Sequence, residues 1–61
     1  MIAEHERRYG LALLDLLREA SQASSDATER IPGLPIAERL TLAHATAAYL
    51  EALDRAREVT R

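Results

Sequence analysis

His5, His44, Tyr9, Tyr49 and a scatter of carboxylates are the side chains here that could do chemistry, and their spacing decides whether they do. Glu4-His5-Glu6 has the composition of a metal-ligand cluster. Consecutive helix residues point about 100° apart, however, so the three cannot converge on one ion. Two histidines are too few for a histidine-only structural zinc site, and the absence of cysteine excludes thiolate sites and disulfides. His44 projects near Leu40 and Glu51, where a carboxylate could orient its imidazole. No Ser, Cys or Lys stands at helical spacing for it to activate, so His44 is expected at the edge of a helix bundle, partly exposed. Glu38 projects among Ala45, Tyr49 and Ala56, close enough to a helix N-terminus for its carboxylate to meet free backbone N–H groups. Tyr9 and Tyr49 are expected as core rings with their hydroxyls at the bundle edge. No catalytic residue, metal ligand or cofactor is expected.

The elements that would have to position any such site are few. A chain of 61 residues makes one domain at most, and at this size folding buries only about 60% of the surface of the unfolded chain. Without disulfides or metal, a domain this small is expected to reach stability by oligomerising or by docking on a larger protein. The hydrophobic fraction of 48% is mostly Ala and Leu, with no Phe or Trp. Ala and Leu are strong helix formers, so the fold class is all-α. A net charge of −2 argues against nucleic acid as a ligand. All eight basic residues are Arg, a bias expected of a GC-rich bacterial or phage genome. The most apolar stretch, Leu11 to Leu17, is broken by Asp15 and is far short of the ~20 residues a membrane span needs. The first residues carry acidic groups ahead of Arg7-Arg8 and have no apolar run of a secretory leader, so a cytoplasmic protein is expected.

Ile31-Pro32-Gly33-Leu34-Pro35 breaks the helical pattern. Pro32 disfavours α geometry at Ile31, Gly33 tolerates positive φ, and Pro35 suits the first turn of a following helix. The reading is a helical hairpin: a first helix from about 2 to 25, a hinge at about 26–34 and a second helix at about 35–60. Residues 26–30 could extend the first helix or form a separate turn, because Asp26 and Glu29 have capping-box spacing.

In projection, the first helix gathers Ile2, Tyr9, Leu13, Leu16 and Leu17 with several alanines on one wide arc, opposite Glu4, Arg7, Arg8, Asp15, Arg18 and Glu19. Leu11 falls in the polar arc, as a lone exposed leucine or a candidate contact for a partner. The interleaved carboxylates should neutralise the arginines of that arc and leave a salt-bridged surface. The second helix carries two stripes: Ile36, Leu40, Ala43, Ala47 and Leu50, and on the other side Leu42, Ala45, Tyr49, Ala52, Leu53, Ala56 and Val59. The longer stripe suits the neighbouring helix of the same chain. The shorter, cut off by Asp54, is therefore expected to meet a second chain.

Two such hairpins would close a four-helix bundle as a homodimer; a larger protein partner would satisfy the same stripes. The expected function is a small non-enzymatic interaction module: a regulator, adaptor or inhibitor. An antitoxin-like or DNA-associated regulator and an accessory subunit of a larger enzyme or membrane assembly are the competing readings. A helix-turn-helix reader would need a tighter turn and a third helix, and neither is evident in the sequence.

Overall fold

The computed structural model describes residues 2–61, and these form two α-helices joined by a short connection. Helix α1 runs Glu4–Glu29 and α2 runs Ile36–Thr60, and the two pack along each other as an antiparallel hairpin. The all-α class and the hairpin are therefore as expected. The first boundary is not. Residues 26–29 extend α1 instead of opening the hinge, leaving only 30–35 for the reversal.

Local bonds explain the extension. Gln22 Nε2 donates to Asp26 Oδ1 at 3.3 Å, and the Thr28 hydroxyl donates to the Ser24 carbonyl at 3.0 Å, each within one helical turn. Ser and Thr weaken a helix without ending it, because their hydroxyls can bond back to the preceding turn. Termination waits for Pro32, and the last turn tightens as Arg30 N–H and Ile31 N–H donate to Ala27 O and Thr28 O. Gly33 then takes φ +74°, a left-handed geometry that any L side chain would resist by about 1–2 kcal/mol. Pro35 stands just ahead of α2 at φ −59°, and its carbonyl accepts the first helical hydrogen bond, from Arg39 N–H at 3.0 Å.

The seam between the helices follows a four-three rhythm. On α1 it comprises Arg7, Leu11, Leu14, Arg18, Ser21, Ser25 and Thr28; on α2 it comprises Arg39, Ala43, Thr46, Leu50, Leu53, Arg57 and Thr60. That spacing keeps one stripe of each helix against the other along their length. Leu53, 7% exposed, is the only buried side chain among the described residues. Leu11, Leu14 and Leu50 are half-buried beside it. Towards the hinge the seam is filled by Ser, Thr and Ala.

Charged pairs bridge its rim: Arg18 Nη1 lies 2.6 Å from Asp54 Oδ1, Arg57 bonds Asp15, and Arg39 reaches Glu29 at 4.0 Å. The first two are solvent-exposed, so each contributes about 0–1 kcal/mol and serves register more than stability, while Arg39 is half-buried at the hinge end of the seam. Arg57 and Asp54, at helical spacing for a local pair, thus reach across to α1 instead of to each other.

Candidate functional site

A two-helix layer has two broad faces, and here they differ in chemistry. On one, α1 presents Asp15, Arg18, Glu19 and Gln22, and α2 contributes Asp54 and Arg57 through the ion pairs that cross the seam. On the other, α1 presents Leu13, Leu17, Ala20 and Ser24, and α2 presents Leu42, Ala45, Tyr49 and Ala52. Leu13, Leu17, Leu42 and Tyr49 remain 40–45% exposed there. In projection the only charged residues on this face are Glu6 and Glu38, one near each end.

At its centre lies an open groove of about 310 Å³, lined by Leu17, Ala20, Ser21, Ser24, Ala45, Thr46 and Tyr49. The small residues form its floor, and Leu17 and Tyr49 stand on opposite sides. The lining has hydroxyls but no imidazole, amine or carboxylate. It can take apolar knobs and accept or donate an occasional hydrogen bond; it has no base to activate a nucleophile.

The residues expected to meet a second chain divide between two places. Leu50 is half-buried in the seam, and so is Leu11, so both serve the hairpin itself. Ile36, Leu40 and Ala47 remain outward, Ile36 at 72% and Leu40 at 53% exposed, as a strip at the hinge end of the charged face, while Ala43 stands in the seam at the edge of that strip. Of the longer stripe assigned to the intrachain contact, Leu53 is buried and Ala56 half-buried, whereas Leu42, Tyr49 and Val59 are exposed. The reason is the seam's composition. Its four-three row passes between the apolar and polar arcs of α1, through Ser, Thr and Arg positions that a hydrophobicity pattern does not mark. The matching spacings on both helices were the signal that could have found it.

The other candidate side chains stay apart. His5, His44, Glu38 and Tyr9 are all exposed, and no group of three or more potential metal ligands occurs among the described residues. Tyr9, 68% exposed, is no core ring within this hairpin. Glu38 stands in the first turn of α2, near the positive end of the helix dipole. Glu4 gathers both Arg7, with Nε at 2.9 Å, and Arg8, with Nε at 3.2 Å. The Arg7 hydrogen bond, aided by its charge and by Arg8, holds the Glu4 carboxyl below its usual range, and Glu4 in turn raises Arg7. The arginines expected to be neutralised are thus paired, Arg7 and Arg8 on Glu4 and Arg18 on Asp54. Among the described residues no helix is long and apolar enough to cross a membrane. The chain matches no family model, no curated protein and no solved structure.

Proposed function

We propose that this chain is a small, non-enzymatic protein-interaction module that works as a homodimer, two hairpins closing a four-helix bundle. The observation that carries the reading is surface left uncovered. The hairpin exposes 4879 Å², whereas a folded monomer of 6.8 kDa exposes roughly 4,000 Å². The excess, roughly 900 Å², is about what one partner contributes to a standard interface. Shape agrees with area. The radius of gyration is 14.7 Å, against roughly 10–11 Å for a compact chain of this length. Stable domains stack at least two layers around a core, and this hairpin is one layer.

A second reading, an accessory subunit of a larger assembly, is favoured by a second exposed apolar strip, Ile36 and Leu40, on the charged face. Sedimentation equilibrium at micromolar concentration tests the leading proposal. The expected result is twice the 6.8 kDa chain mass, with a melting temperature that rises with protein concentration. A monomer with a cooperative, concentration-independent melt would overturn it.

A further inference from the structure

We infer that the surface by which two copies meet is the broad face bearing Leu17, Tyr49 and the groove between them, and not the Ile36–Leu40 strip on the opposite face; this rests on the homodimer proposed above. Three observations select the face and its occupant.

The first is width. The helices span 48 × 15 × 9 Å, and the apolar face runs across both of them. A single docked helix, ~10 Å across with its side chains, would leave part of that face wet. A second two-helix layer has the right breadth, and this chain is such a layer.

The second is area. The excess surface of roughly 900 Å² matches the ~800 Å² each partner buries in a standard interface. The Ile36–Leu40 strip lies on one helix only, at the hinge end, where Glu29 of α1 stands beside Arg39, and farther along the same face α1 carries Asp15, Arg18 and Glu19. Covering it to a similar area would bury those charges, at several kcal/mol per unpaired ion.

The third is self-complementarity. A two-fold interface places one patch on itself, so bulky groups must find small ones within the same patch. On α1 the large Leu13 and Leu17 lie towards the open end, and the small Ala20 and Ser24 lie towards the hinge. On α2 the small Ala52 and Ala56 lie towards the open end, ahead of Val59 in the last turn, and the large Leu42 and Tyr49 lie towards the hinge. A two-fold axis in the plane of the face, crossing the groove, brings Leu13 and Leu17 of one copy over small residues of the other. It also lets Leu17 and Tyr49 flank the opposing groove.

Isotope-filtered NMR on a mixture of labelled and unlabelled native chain tests this without a substitution. Intermolecular NOEs are expected at the Leu13 and Leu17 methyls and the Tyr49 ring, with none at Ile36 or Leu40. A dimeric mass with intermolecular NOEs at Ile36 and Leu40, and silence at Leu17 and Tyr49, would overturn this assignment while leaving the homodimer intact. A chain of monomeric mass with no intermolecular NOE would overturn both, and would hand the face to an unrelated protein. A companion pair of variants separates the two surfaces by mass: Leu17→Glu is expected to weaken association at least tenfold, and Leu40→Glu less than twofold. The reverse ranking would sink the assignment.

Discussion

The seam inside the hairpin and the face beside it are built from different materials. The seam holds four leucines near the open end, then Ser21, Ser25, Thr28, Ala43 and Thr46 towards the hinge, with arginines at its rim. The face holds Leu13, Leu17, Leu42 and Tyr49 around a floor of small residues and remains open. The molecule thus leaves more large apolar side chains outside its intrachain contact than within it. Burial of apolar area is the main favourable term in folding, at about 25 cal/mol per Å². A hairpin with a thin, partly polar seam can define the pairing of its helices yet depend on a covered face for much of its stability.

The largest effect is expected at Leu53, inside the seam. Truncating a buried leucine costs about 2–5 kcal/mol, a large share of the stability of so small a domain. Leu53→Ala is expected to remove most of the helical signal in circular dichroism, and Leu53→Glu all of it, at any accessible concentration. Substitution on the open face should behave differently. Leu17→Glu is expected to lower helicity at micromolar concentration and to recover it as protein is added, because a weakened dimer is restored by mass action. Identical concentration dependence for the two sites would erase the distinction between seam and face.

A smaller effect of opposite sign is expected at Gly10. A Cβ there would meet Thr60 Cγ2 at 3.7 Å, an ordinary packing distance. Gly10→Ala should therefore stabilise α1 by about 1 kcal/mol through helix propensity alone, raising the melting temperature by several degrees. A fall instead would mean that the seam closes more tightly at this end than the structure has it.

The smallest expected effect is at the N-terminal turn. Since Arg7 holds the Glu4 carboxyl below its usual range, the pair's contribution is fully present above the unfolded value, about 4.3. It is lost as pH falls through the lower folded value. Amide shifts of residues 4–8 should report fraying of this turn in acid as the Glu4 carboxylate is protonated.

Much of the architecture was legible along the chain. Ala- and Leu-rich composition specified helices, and Pro32, Gly33 and Pro35 specified a reversal, since these are local steric properties of single residues. Charge interleaving on α1 likewise foretold the pairing of Arg7 and Arg8 with Glu4, whereas Arg18 and Asp15 find their partners, Asp54 and Arg57, on α2. The hinge's first boundary was less legible, because whether Ser24–Glu29 stays helical depends on weak i to i+4 bonds competing with turn geometry. Which stripe faces which neighbour was decided only by the tertiary structure. Helical periodicity states that Leu11 and Leu50 occupy certain angles; it does not state which angle turns inward when apolar side chains occupy most of a helix's circumference. The pairing of two whole helices settled that, setting a row of Leu, Ser, Thr and Arg at four-three spacing into the seam and leaving Leu17 and Tyr49 on the outside. A polar seam is invisible to hydrophobic patterning because its members are selected by size and spacing, and those acquire meaning only when the opposing helix is in place.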